Sequence, residues 1–281
     1  MAVRDVWFTV LGPVRAWTGD REVDLGAPQA RALLALLLAH GGQAVSLARL
    51  VDAMWGEDPP RTAVNAIHRN VGLLRRMIEP ELPARHPGGW LVRAAGGYRL
   101  DVDGESLDLL RFRRLVRQAR QPGSPDPVGL YRRALRLWDG AGGDGIDAQV
   151  RGDAVFTRLD QELSTVAREA ADTALAFGAA GELADVVELV AGRAPFDEPL
   201  HARLIRLLSA AGQRARALGA YQALRVRLDE ELGISPGPEV VAAHRTALQL
   251  EPVRSLPGRA RGLRSVRLLS YGSNGCRFSV L

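Results

Sequence analysis

Arginine and asparagine present paired hydrogen-bonding groups that match the edges of guanine and adenine, and the stretch AVNAIHRNVGLLRRMI gathers them at helical spacing. Ile67, Val71, Leu74 and Ile78 recur at alternating steps of four and three, which lays one apolar stripe along a helix from about Arg61 to Ile78. The opposite side carries Asn65, Arg69, Gly72, Leu73 and Arg76, with His68 and Arg75 on one flank and Asn70 on the other. No acid interrupts Arg61, Arg69, Arg75 and Arg76, and Gly72 leaves room for close approach to a duplex. The pattern predicts a helix that enters a major groove with its wet face reading bases. A solvated amphipathic helix with surface arginines has the same spacing, so the pattern alone leaves both readings open.

Two further arginines, Arg93 and Arg99, lie on a hairpin predicted from Trp90-Leu91-Val92, a Gly96-Gly97 turn and Tyr98 to Val102. From such a wing an arginine reaches a phosphate or an adjacent minor groove; a strand residue pointing into water is the competing reading for Arg99.

Other chemistry finds little support. The five histidines, at 40, 68, 86, 201 and 244, are never four residues apart, and the single Cys276 can form neither an internal disulfide nor a multi-thiolate metal site. All 37 basic residues are arginine, which excludes a Walker lysine and a Schiff base. No nucleotide-binding glycine motif or H-E-x-x-H is present. The expectation is a non-enzyme with no cofactor and no metal.

Around the arginine-rich helix, the chain supplies the parts that would position it. Val6, Phe8 and Val10 alternate with other residues, Gly12-Pro13 breaks the run, and segments at Val14 to Trp17 and Val23 to Leu25 complete three short strands. Pro28 opens a buried helix from Ala30 to His40 that Gly41-Gly42 stops, and Ser46 caps a second from Leu47 to Trp55. Strands, three helices and a terminal hairpin describe a winged helix-turn-helix over residues 1–104. From Leu107 the period changes from two to 3.6, and helices are predicted at about 107–120, 127–138, 153–178, 182–193, 198–211, 213–231 and 237–249. Ala179-Ala180-Gly181 recurs as Ala210-Ala211-Gly212, and Ala217 below Tyr221 suits a packed helical hairpin of the tetratricopeptide kind. A generic bundle with alanine-rich turns is the alternative. The fold class is therefore mainly α: an α+β winged helix, then an all-α, TPR-like domain over 105–250, then a basic tail at 251–281.

Residues 1–100 carry 12 arginines against 9 acids, 101–250 carry 19 against 22, and 251–281 carry 6 against 1, within a net charge of +5. A basic front and a near-neutral middle fit a nucleic-acid module joined to a part that touches protein. The longest strictly apolar run, Ala32 to Ala39, is far short of the ~18 residues that a membrane span needs. With no secretory pattern at its start, the chain is expected in the cytoplasm, on the nucleoid and away from membranes. Cys276 is expected to be a free thiol in the tail.

The string VGLLRRMIEP, preceded by MWGEDPPRTAVNAIHRN and followed by GGYRLDVD, resembles the OmpR-type winged helix as it occurs in the SARP family of bacterial pathway-specific activators. The resemblance implies that the third helix enters the major groove, that the Gly-Tyr-Arg-Leu segment forms the wing, and that homodimers bind direct repeats in promoter DNA. Position by position it puts His68 and Leu73 toward bases and Asn70, Gly72 and Arg75 toward phosphates. With Asn65, Arg69 and Arg76, His68 and Leu73 are the base-facing candidates; Arg61, Asn70, Gly72, Arg75, Arg93 and Arg99 are the phosphate and wing candidates. Two positions depart from the pattern: Leu73 stands where arginine is common, and Ala94 stands where a wing arginine is expected, which leaves Arg93 for the other hairpin face.

Further on, LYRRALRLWDG, TALAFGAAGEL and AYQALRVRLDEELGISPGPEV resemble the bacterial transcriptional activator domain of the same family. The matching Tyr131, Ala134, Leu137, Trp138, Leu224 and Leu228 are mostly core types. The resemblance implies a helical domain that packs on the winged helix, aids dimerisation and supports contact with RNA polymerase. It also makes the loop Gly56 to Pro60, with Glu57 and Asp58 exposed, the segment facing the polymerase and its sigma factor. The implied function is activation of a secondary-metabolite (antibiotic) gene cluster. The alternative from another class is a TPR-like scaffold whose winged domain contacts protein.

Overall fold

Alternation sets the first layer. In the computed structural model, which describes residues 6–80, 89–94 and 96–249, strands β1 (Val6–Thr9), β2 (Arg15–Thr18) and β3 (Arg21–Glu22) form an antiparallel sheet in that order. Val6, Phe8 and Ala16 turn into the core, and Trp7 pairs with Trp17 on the outer face. The third strand stops at Glu22, short of the predicted Val23 to Leu25, although Val23 still donates to the Ala16 carbonyl.

Helix α1 (Pro28–Ala39) begins on Pro28, whose missing N–H costs nothing in a first turn, and is buried from Ala32 through Ala39. Gly41 and Gly42, both at positive φ, turn the chain out of it. A short strand β4 (Val45–Ser46) follows, and the Ser46 hydroxyl accepts the Arg49 N–H to cap α2 (Leu47–Trp55). Helix α3 (Ala63–Ile78) buries Ile67, Val71, Leu74 and Ile78, the predicted stripe.

The hairpin of β5 (Leu91–Ala94) and β6 (Gly97–Leu100) gains a partner that periodicity did not show, since β4 pairs with β6 and the second sheet runs β4-β6-β5. Two residues are too few for an alternation signal. Gly97 makes the pairing possible: a Cβ there would lie 1.9 Å from the Val45 carbonyl oxygen.

The remainder is helical: α4 (Asp108–Ala119), α5 (Pro127–Leu135), α6 (Ala148–Arg151), α7 (Ala154–Ala176), α8 (Ala180–Arg193), α9 (Glu198–Ala210), α10 (Arg214–Leu232) and α11 (Pro238–Gln249). The short α6 was not predicted. Helix α5 ends before Trp138, which is buried edge-on against Phe112.

The internal repeat has a different register from the one the Ala-Ala-Gly strings suggest. Gly178 and Gly212 are the left-handed residues that close α7 and α9, and α8 and α10 start at Ala180 and Arg214, so the period is 34 residues. The same step relates Ala179 N–H to Ala174 C=O and Gln213 N–H to Leu208 C=O. Ala179-Ala180-Gly181 opens a helix, whereas Ala210-Ala211-Gly212 closes one. Stacked pairs α7/α8 and α9/α10, covered by α11, share an apolar interior, as in tetratricopeptide hairpins.

The described residues form one compact unit, with a continuous core between sheet and helices. The turn between β1 and β2 is held by segment 139–144: Asp139, Gly143 and Asp144 donate N–H groups to the carbonyls of Leu11, Val10 and Gly12 at 2.8, 2.8 and 2.9 Å. Gly12 approaches so closely that a Cβ would lie 2.9 Å from the Asp139 carbonyl carbon. Residues 251–281, including Cys276 and the basic tail, lie outside the described residues. Among the described residues no helix is long and apolar enough to cross a membrane.

Candidate nucleic-acid interface

On α3 the wet face keeps its cations free. Arg69 and Arg76 are exposed, as are Asn65 and the preceding Arg61, and none of these has an ion-pair partner among the described residues. The Arg76 guanidinium lies near Gly72, 3.9 Å from where a Cβ would be, and Leu73 is half-buried between Arg69 and Arg76 in sequence. Elsewhere many arginines are bound to acid. Arg113 meets Glu162 at 2.7 Å, Arg120 meets Glu169 at 2.8 Å, and Arg203 meets Asp172 at 2.9 Å. A guanidinium without a carboxylate is a full positive charge ready for an anion.

The flanks of α3 are used internally. Arg75 donates Nε and Nη2 to the Leu91 carbonyl on β5 at 3.0 and 2.7 Å and lies 6.0 Å from the Tyr98 ring centroid. His68 packs edge-on to Tyr98, with ring centroids 6.1 Å apart and its Nε2 buried. These contacts fasten the wing to the helix, so His68 and Arg75 stand between α3 and the hairpin. The expectation that Asn70 meets phosphates is corrected: it is only 3% exposed, with Nδ2 buried and unpartnered. Its azimuth beside Leu74 turns it toward the core, a consequence of the 3.6 period.

On the hairpin, unbroken pairing from Leu91↔Leu100 to Ala94↔Gly97 fixes which face each residue occupies. Arg93 pairs with Tyr98, on the face turned to α3, and is exposed near the tip; Arg99 is on the other face. Arg99 binds Asp101 at 2.9 Å, so its charge is largely neutralised locally. Of the two wing arginines, Arg93 is the one without an ion-pair partner among the described residues, and it lies on the helix side.

Glu57 and Asp58 follow the left-handed Gly56 that ends α2 and are exposed. Beside them, Gln149 of α6 comes within 3.0 Å of a Cβ placed on Gly56, so the helical part borders this loop. Arg49 of α2 strengthens the junction by pairing with Asp153, which also accepts the Val155 N–H to cap α7.

Sequence reasoning missed Asp108. Its buried carboxylate at the start of α4 accepts N–H bonds from Val10 at 2.9 Å, Leu11 at 3.0 Å and Leu109 at 2.7 Å. Burial pushes its pKa up to about 6 against the lowering effect of those donors. No motif flags such a residue, because its partners lie almost a hundred positions away. Burial likewise holds the imidazole of His201 below its ordinary value. Among the described residues no cluster of His, Cys, Asp and Glu could hold a metal ion.

Residues 20–100 match the family "transcriptional regulatory protein, C terminal", and residues 107–248 match the bacterial transcriptional activator domain. The chain is 34% identical to the regulatory protein AfsR of Streptomyces coelicolor, over 87% of this chain and 24% of that one. It is 33% identical to the transcriptional regulator RedD of the same organism, over 90% and 73%. The solved structure of Mycobacterium tuberculosis EmbR in complex with a low-affinity phosphopeptide superposes with a TM-score of 0.62 at 28% identity, covering 89% of this chain and 66% of that one. The chain thus spans about a quarter of the AfsR length.

Proposed function

Because this chain belongs to the SARP family of DNA-binding transcriptional regulators, a family of regulators and not of enzymes, we propose that it activates a secondary-metabolite gene cluster from promoter direct repeats. DNA binding belongs to the winged helix. Within it, Arg69, Arg76, Asn65 and Leu73 take the base edges, with guanidinium forks on guanine and the Leu73 side chain against a thymine methyl group. Arg61, Arg93 and the backbone at Gly72 take phosphates. His68 and Arg75 hold the wing in register, and Arg99 adds less than Arg93 because Asp101 already binds it.

The observation that supports this reading best is the pair of arginines on one wet face of α3, Arg69 and Arg76, exposed and without an ion-pair partner among the described residues, beside a wing fastened to the same helix. Residues 1–104 would read DNA while 105–250 support a homodimer on the repeats. The acidic loop at Glu57 and Asp58, bordered by α6, would meet RNA polymerase and its sigma factor.

The test is a salt titration of binding to a cognate promoter duplex by fluorescence anisotropy. Affinity should fall steeply and log-linearly with ionic strength, with a slope set by the number of phosphates neutralised. Salt-independent binding, or no preference for the cognate duplex over a scrambled one, would overturn the reading and favour a scaffold that contacts protein.

A further inference from the structure

Away from α3 and the wing, helices α4 and α5 pack side by side and leave a groove of about 570 Å³. Arg111 and Arg114 line it from α4, and Arg133 and Arg136 from α5 and its C-terminal cap. The one acid in the lining, Glu105, is already bound to Arg114. Arg133 and Arg136 are exposed and have no partner among the described residues, while Arg111 lies 5.9 Å from the Trp7 ring centroid on the outer face of β1. Leu115 and Leu137 add apolar wall.

Four guanidinium groups around one small groove repel one another, a cost that an anion placed among them removes. We propose that this groove binds an oligophosphate, either a free phosphate chain or the phosphate tail of a nucleotide. Arginine forks pair two-pronged with phosphate oxygens, and a compact ligand with several negative charges matches four cations set against one neutralised acid. The volume falls within the ~300–1,000 Å³ range of small-ligand sites. The lining comes from α4, α5 and their flanks, none of which belongs to the α3 and wing face, so the site is separate from DNA reading.

Calorimetric titration of the full chain with sodium tripolyphosphate and with ATP, at constant ionic strength, tests the assignment. Saturable binding of at least one probe is expected, weakened tenfold or more in an Arg133→Ala/Arg136→Ala variant whose affinity for a promoter duplex is unchanged. Tighter binding of ATP than of tripolyphosphate assigns the nucleotide; equal binding assigns the phosphate chain alone. Should the alanine variant melt early, Arg133→Glu replaces it, with the same expected loss. The proposal is overturned by no saturable heat up to millimolar probe, or by undiminished binding in the folded variants. It is equally overturned by a loss of duplex affinity in them, which would give the groove to the DNA backbone, or by binding only of acidic peptide.

Discussion

Arg75 on the reading helix grips the Leu91 carbonyl on the wing through two nitrogens, Nε at 3.0 Å and Nη2 at 2.7 Å. Helix and hairpin are thereby held at a fixed spacing, with Tyr98 between Arg75 and His68. The residue most easily taken for a phosphate contact is bound within the protein, and its charge remains near the surface as it positions the wing.

Removing that grip should cost stability and binding together. For Arg75→Ala we expect a loss of about 1–2 kcal/mol, since a charged donor's hydrogen bond is worth ~1.5–3 kcal/mol and this one is partly exposed. Affinity for cognate and scrambled duplexes should fall by similar factors. Arg75→Lys, lacking the two-nitrogen fork, should not restore the melting temperature. An unchanged melt by calorimetry with Arg75→Ala would refute the positioning role.

Arg69 predicts the opposite profile. It is exposed and has no partner among the described residues, so Arg69→Ala should leave the melt in place while weakening cognate binding by about 1–3 kcal/mol. Specificity at one base pair should relax. Anisotropy titrations against single-base variants of the site check this, and an identical preference profile would remove Arg69 from the reading face.

At Gly97, the Val45 carbonyl oxygen occupies the space that any side chain would need. Gly97→Val should break the β4 and β6 pairing and destabilise the fold by ~1–3 kcal/mol or more, with loss of duplex binding. Gly96→Ala has no close neighbour to strike, although its positive φ will cost something, so it should be milder. A melt that ranks the two variants the other way would contradict the predicted steric cause.

Asp108 gives a pH signature. Its folded pKa, about 6, exceeds the ordinary 3.8, so the folded chain holds the proton more tightly than the unfolded one. The resulting stabilisation is fully present below about pH 3.8 and lost as the pH rises through about 6. Between those limits it corresponds to on the order of 3 kcal/mol. Denaturant unfolding of the wild type and Asp108→Asn from pH 4 to pH 8 should show wild-type stability declining relative to the variant as pH rises. A difference that stays flat across that range would mean that the carboxyl does not titrate there.

Short-range features were readable from the chain. The apolar stripe of α3, the Ser46 cap, Pro28 at a first turn and the glycines that close α1 and α2 all act within a few residues, and each formed as expected. Where the signal was short or shared, reading stopped early: β4 has two residues, and the recurring Ala-Ala-Gly strings gave a helical repeat the wrong register.

The sequence by itself determined that one helix would have a dry side and a cationic side, because a 3.6-residue period assigns every residue an azimuth. Tertiary structure alone decided which polar groups stay available. Asn70 is turned inward, Arg75 reaches Leu91 sixteen positions on, and Asp108 receives Val10 and Leu11 from almost a hundred positions away. Among the described residues Arg69 and Arg76 are left free because no acid from another element comes to rest beside them. Periodicity sets the direction of a side chain, but its partner depends on which distant segment the packed core brings alongside.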